Sequence, residues 1–524
     1  MLSFYPLRTS FVILCFAALN TAAAQVPSFT SVKAAGGSRQ SAGNAIAVDA
    51  AGNFYVAGSF GFQNVGGTLD LGTTNLTSQG NSDGFLAKFN VQGQCVWARQ
   101  IAGSNKDDAY DVVLRSDGTV LVMGEFVGAT TIGNSNLFSQ GGFDIFLAAF
   151  SPAGDLIWAR PIGATSDDFA IALASGESGS AIFTGSFTGD INLGNGIAFS
   201  SVDDDAILIK FDAGGSVQWA RTAGGAGFQL GSDVKVDAQG QVFWAGEFET
   251  NIFFGSTNFS SPGFNVFLAK YDSAGTRLWT RKLGEGEHAD LPRLALSADG
   301  RLLCTAVYFG QYDIAGRSLP SGLNDVLFAS FASNGDLQWV RTFGGPELDV
   351  CTDLLIAPEG DCYLLGHFRG TMTVGSTNLT SVGSTDVFVM QCNSSGEPQR
   401  ALKGGSLGPD LAFSGGIGPA GEVRLAGSFS STAQFGNISV TSPDGLPKVF
   451  VATVSQPPML RITSFPDHVL LNWPGHFSGF FLESSASLLS PSWTAVGSAP
   501  VLINDALTVT NQTSDPALFF RLRN

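Results

Sequence analysis

Apolar positions along the chain fall in short β-rich runs broken by Asp/Gly turns, and no window sustains the spacing of an amphipathic helix. One stretch shows the pattern well. Asp111 to Leu114 ends at Ser116-Asp117-Gly118, Val120 to Phe126 follows, Asp144 to Phe150 ends at Ser151-Pro152-Ala153-Gly154, and Leu156 to Arg160 closes the unit. This predicts four short strands, and the unit recurs. Trp-x-Arg occurs at Trp97/Arg99, Trp158/Arg160, Trp219/Arg221, Trp279/Arg281 and Trp339/Arg341, in steps of 60 or 61 residues, with Arg400 continuing the series without its Trp. Phe60, Phe126, Phe187, Phe248, Phe309, Phe368 and Phe429 form a second series, and Phe85, Phe146, Ile207, Phe267, Leu327, Phe388 and Phe450 a third. Constant register predicts that these aromatics are buried between neighbouring sheets. Four strands per unit and seven units predict an all-β fold, a seven-bladed β-propeller over residues 25–455.

The ends of the array predict its closure. Val32 to Gly37 resembles the fourth-strand pattern that elsewhere reads Trp-Ala-Arg-x-x-Gly-Gly, while the last unit stops after its third strand near Val454. The N-terminal strand is therefore expected to complete the last blade and remove an open sheet edge. After Gln456-Pro457-Pro458 the period stops, and the strand-like runs of residues 456–524 predict a small β-sandwich.

Ahead of the repeats, Arg8, the apolar run Phe11 to Leu19 and Ala22-Ala23-Ala24 have the layout of a secretory signal peptide, residues 1–24. A secreted or cell-surface location is expected, with no transmembrane segment. Charge narrows the partners: 27 Lys+Arg against 44 Asp+Glu give a net charge of −17, which disfavours nucleic acid and anionic lipid. The five cysteines beyond the leader, Cys95, Cys304, Cys351, Cys362 and Cys392, match neither a disulfide framework nor a zinc site. They read as buried thiols. Only four histidines, His288, His367, His468 and His476, argue against histidine-rich metal chemistry.

The segments DAAGNFYVAGSF at 49–60 and SDGFLAKF at 82–89, with the repeated Trp-Ala-Arg segments, resemble the SBBP beta-propeller repeat family. The resemblance covers roughly residues 28–455. It implies a secreted or surface bacterial propeller without family-wide catalytic residues. The tail segments LLNWP, FFLESSASL, SWTAV and FFRLR resemble a fibronectin-III-like module at the ends of secreted bacterial proteins, which implies attachment or sorting.

Candidate chemistry lies in the acids of the connections that enter each first and third strand. Asp107, Asp168, Asp290, Asp349 and Asp410 precede first strands, and the run Asp203-Asp204-Asp205 precedes a third strand. A ring of such acids is a candidate ligand-binding face, for Ca²⁺ or cationic groups, because hard cations take several oxygen ligands. The competing expectation is that each acid caps its own turn. Glu285, Glu287, His288 and Asp290 stand apart because they do not recur. No nucleophile elbow, HExxH pair, EF-hand loop or phosphate-binding loop is present. The expected function is a non-catalytic binding or adhesion scaffold, a monomer needing no cofactor, for a glycan or an extracellular protein. The alternative is an extracellular carbohydrate-active enzyme using a pair of face-loop carboxylates.

Overall fold

The computed structural model describes residues 27–62, 66–320, 322–358, 360–419, 421–455, 460–465, 468–474, 480–487, 492–503, 506–512 and 518–523. The expected signal peptide lies outside them. Residues 28–455 form one body and the described tail belongs to another.

Short alternating runs ending in tight glycine turns produce antiparallel hairpins, and these assemble in fours. Asp168–Ser175, Ala181–Gly194, Ile197–Phe211 and Val217–Ala223 lie side by side in chain order. The pairing recurs from Ser41–Val48, Phe54–Phe60, Asp83–Phe89 and Cys95–Gly103 onward. In the last group, Leu411–Ile417, Val423–Phe429 and Lys448–Ser455 are followed not by a downstream strand but by Ser28–Ala34. Its register runs antiparallel from Ser28↔Ser455 to Ala34↔Phe450. First strands contact one another in succession, and Leu411–Ile417 contacts Ser41–Val48, so the all-β array is a closed, propeller-type ring.

The Trp-x-Arg element is the fastener between groups. Trp97, Trp158, Trp219 and Trp279 each donate Nε1–H to a carbonyl in the third-to-fourth-strand turn of the next group, at 3.0 to 3.1 Å. The ring lies on that turn's glycine: a Cβ on Gly275, at φ +79°, would stand 2.8 Å from the Trp219 ring. Arg221 stacks on Trp219 and donates Nε–H to Gly275 O at 2.7 Å. Trp219→Ala removes a large buried side chain and its hydrogen bond. It should lower unfolding stability by about 3–5 kcal/mol, a loss readable as a shifted urea midpoint at constant slope.

The structure corrects two register assignments. Arg400 does not continue the arginine series: it pairs with Gln391, the place Trp339 takes opposite Ser330. The reason is topological. A Trp there would dock on the third-to-fourth-strand turn of the last group, and that turn does not exist, because the third and fourth strands are the two ends of the ring. Phe309 likewise falls one place out of its series. Tyr308 opposes Asp325 as Phe126 opposes Asp144, so Tyr308 is buried and Phe309 is 40% exposed.

The described tail holds two small antiparallel sheets. One orders Arg461–Ser464, His468–Pro474, Ala506–Gln512 and Val501–Ile503; the other orders Thr494–Ala495, Phe481–Ser485 and Phe519–Arg523. Val469, Leu471, Trp473, Leu482 and Val509 form its core.

Candidate functional site

The recurring acids are brought together in pairs, each pair spanning two neighbouring groups. Asp107, Asp168, Asp349 and Asp410 open their first strands, where each feels the third-strand acid of the preceding group: Asp83, Asp144, Asp325 and Asp386. All four are fully buried, which corrects the expectation of an open ligand-binding face. Both oxygens of Asp107 and Asp349 are buried without a hydrogen-bond partner, whereas Asp168 and Asp410 bond the backbone. Asp168 Oδ2 accepts Ala164 N–H at 2.6 Å, and Asp410 Oδ2 accepts Ser406 N–H at 2.6 Å and its hydroxyl at 2.7 Å. The third-strand acids cap their own turns, as when Asp144 Oδ2 accepts Gln140 N–H at 2.9 Å.

The Gly-Gly doublets are explained by the same packing. A Cβ on Gly224 would stand 2.1 Å from Asp205 Oδ2, and one on Gly344 would stand 2.2 Å from Asp325 Oδ1. Burial pushes Asp107, Asp168 and Asp349 up to about 7 and Asp410 up to about 6, with the neighbouring acid adding to each rise.

The remaining candidates separate. Asp205 is the turn acid of its group, Asp204 accepts from the Thr188 hydroxyl at 2.5 Å, and exposed Asp203 accepts Gly227 N–H at 3.2 Å. Asp290 pairs with His288 Nε2 at 2.8 Å, and its other oxygen, Oδ1, is buried without a hydrogen-bond partner. Glu285 instead bonds Lys282. Among the described residues no group of three acid, His or Cys side chains is placed to hold a metal ion.

A second set of polar groups, not singled out in the sequence, lines a cavity of about 580 Å³ inside the ring. A β-bulge recurs at one register of the first strands, between Ala109/Asp111, Gly231/Asp233, Asp290/Arg293 and Cys351/Asp353 among others. An extra residue in one strand re-aims the next side chain, and here Asp111, Asp233, Arg293 and Asp353 line the cavity.

Each of these aspartates spans two groups. Oδ1 accepts the next N–H of its own strand, and Oδ2 accepts an N–H of the following first strand: Leu173 at 2.8 Å, Leu294 at 2.7 Å and Gly415 at 2.8 Å. Arg293 extends the ring of bonds, donating to Thr352 O at 2.8 Å and Ser232 O at 3.1 Å. Lys235 meets Asp233 at 2.8 Å. Burial opposes the Lys235 charge, but Asp233 and Asp353 outweigh it and hold the ammonium above its ordinary value. Burial pushes Asp111 up to about 6 and raises Asp353. The signal available in the sequence was a charged residue inside an apolar strand, recurring in alternate repeats at Asp111, Asp233 and Asp353.

At one end the cavity meets a second hollow of about 630 Å³, lined by Phe62, Asn81, Asn105 and Asp167, and the two share Lys106 and Phe143. Lys106 lies 5.1 Å above the Phe143 ring and 3.0 Å from Asp108. The arrangement offers an aromatic wall, amides and carboxylates at an open mouth above a charged lumen.

No protein-family model matches the chain. The regulatory protein FlaEY of Caulobacter vibrioides is 25% identical over 208 residues, covering 36% of this chain and 21% of that protein. An uncharacterized WD repeat-containing protein of Acanthamoeba polyphaga mimivirus is 23% identical over 228 residues, covering 36% of this chain and 16% of its own length. The chain thus spans about a fifth or less of these curated relatives. Among solved structures, the Pan2 WD40 domain of Neurospora crassa aligns over 83% of this chain and 97% of its own, with 9% identity and a TM-score of 0.42. Hydrazine synthase of Kuenenia stuttgartiensis aligns over 77% and 96%, with 10% identity and a TM-score of 0.39.

Proposed function

We propose that this chain is an exported seven-bladed propeller of the SBBP repeat type, acting as a non-catalytic binding scaffold for a glycan or an extracellular protein. In this reading residues 456–524 form a fibronectin-III-like β-sandwich that attaches or sorts it. One observation carries the non-catalytic reading: the acid pairs that a hydrolase would need are repeated from group to group and buried where neighbouring groups meet. A catalytic pair is open to substrate and needs only one copy. Binding then falls to the mouth where Phe143 and Lys106 join the two hollows. Aromatic faces with amides and carboxylates suit uncharged polar ligands.

Affinity electrophoresis of the purified full chain through a panel of neutral polysaccharides tests this reading, with cleavage of the same glycans assayed in parallel. The expected result is retardation by at least one glycan without cleavage, weakened by Phe143→Ala. Retardation that Ca²⁺ leaves unchanged would agree with the burial of the acids.

A second reading rests on the His288–Asp290 pair. It lies beside Leu291, which adopts φ +50°, and Pro292, where strand pairing is interrupted between Asp290 and Arg293. Strained backbone beside a pair of titratable side chains is a feature of working sites. Glycan cleavage abolished by Asp290→Asn would replace the scaffold reading with a carbohydrate-active enzyme.

A further inference from the structure

Cys362 and Cys392 are register partners, directly opposite each other on the strands Cys362–Val374 and Thr377–Cys392. Both are buried and stand as free thiols in this structure. At the same register the other groups carry apolar pairs, such as Phe54↔Phe89, Val120↔Phe150, Val242↔Tyr271 and Leu302↔Phe331. Only here are both members replaced, and both by cysteine.

The three other cysteines beyond the leader have no such partner. Cys95 opposes Phe89, Cys304 opposes Leu294 and Ala329, and Cys351 opposes Gly366. Directly opposed residues of antiparallel strands have Cα atoms roughly 4.5–5.5 Å apart. That lies inside the roughly 4.4–6.8 Å a disulfide spans.

We propose that Cys362 and Cys392 form a disulfide in the exported protein, tying the second and third strands of this group together. The proposal rests on the export reading above, since such bridges persist in oxidising compartments. One cysteine thiolate attacks a sulfur of a small-molecule or protein disulfide, forming a mixed disulfide and releasing one thiol. The second cysteine then attacks the mixed disulfide at the first cysteine's sulfur and releases the other thiol. Two protein thiols thus lose two electrons and two protons, and the oxidant disulfide is reduced to two thiols. Burial pushes the Cys362 thiol up to about 12 and raises Cys392 as well. Exchange needs a thiolate, so the bridge forms before the strands close over it.

The test starts from the full chain, unfolded and reduced, then refolded in reduced and oxidised glutathione, alkylated and mapped by mass spectrometry. The expected product is a single cross-linked peptide joining Cys362 to Cys392, with Cys95, Cys304 and Cys351 alkylated. Alkylation of all five thiols, or a bridge to any other cysteine, overturns the proposal. Protein isolated from producing cells gives the second arm. A bridge that forms on refolding but is absent from cell-derived protein shows the geometry to be right and overturns the export reading, and with it the bridge in cells. Reductant should lower the melting temperature of the oxidised protein. It should leave unchanged that of Cys362→Val/Cys392→Phe, which installs the apolar pair found at Val120↔Phe150.

Discussion

Deleting residues 28–37 is expected to unfold the whole ring rather than to fray one edge. The strand Ser28–Ala34 is the fourth strand of the last group, so its loss exposes the edge of Lys448–Ser455. Phe29 and Val32 leave the core shared with Phe435, Phe450 and Ala452, and Phe29 alone meets the Phe435 ring edge-to-face at 5.2 Å. Burial of one such aromatic is worth about 3–5 kcal/mol, already a large share of the roughly 5–15 kcal/mol that keeps a domain folded.

The strand is also the seam. Ala35 N–H donates to Val449 O at 2.9 Å, Gly36 bridges to Asp70 of the first group, and Lys448 reaches Gly37 O and Arg39 O. Without it, the last and first groups keep chiefly the contacts of Ser41–Val48 with Leu411–Ile417, Val423–Phe429 and Lys448–Ser455, and the seam becomes the weakest interface of the ring. The truncated chain should show a melting transition lower by at least several degrees by rough size scaling, or should aggregate through its bare edge. Phe29→Ala should give a smaller shift in the same direction. Joining Ser455 to Ser28 by a short turn and opening the chain at another hairpin should preserve the melting temperature, because those two residues are already paired. An unchanged transition after deletion would show the strand to be peripheral.

The closure was legible in the sequence because the fourth-strand pattern is periodic and its N-terminal copy keeps the Gly-Gly doublet at Gly36-Gly37. The turn glycines were legible for the same reason, since the Trp ring against Gly275 and the carboxylate against Gly224 leave no space for a Cβ. Exceptions were not legible by pattern alone. Phe309 keeps the spacing of its series by residue type, yet strand pairing puts Tyr308 in the slot. Arg400 looks like a member of the arginine series until pairing with Gln391 puts it in the Trp place.

The candidate site divides in the same way. That the acids serve turns follows from their recurrence. That they meet in pairs across interfaces depends on which groups are neighbours in the closed ring. Asp111, Asp233 and Asp353 escaped notice because a β-bulge has no fixed composition. It is the bulge that turns these residues from an apolar strand toward the lumen.

The acid pairs also make the ring's stability depend on pH, in the direction opposite to that of salt-bridged carboxylates. In the unfolded chain an aspartate titrates near 3.9, whereas burial holds Asp107, Asp168 and Asp349 at about 7 and Asp410 at about 6. Between pH 4 and 7 the folded ring therefore binds more protons than the unfolded chain. The slope of unfolding free energy with pH is negative there. The contribution is fully present below the unfolded value and is lost as pH rises through the folded one, by up to roughly 4 kcal/mol for a group moved three pH units.

One buried base opposes this. Burial lowers His367 to about 4, so its share of stability is lost as pH falls from about 6.5 toward 4. One histidine stands against four aspartates, and the aspartates decide the sign from pH 5 upward. The melting temperature should be higher at pH 5 than at pH 8. Asp107→Asn, which keeps the shape and removes the charge, should raise stability at pH 8 by about 1–3 kcal/mol, the scale of relieving a poorly solvated buried charge. It should also flatten the profile between pH 5 and 8 by that amount. Thermal melts of both proteins across this range decide the matter: a wild-type profile that rises toward pH 8 would mean that these carboxyls are ionised in the folded ring and solvated or paired there.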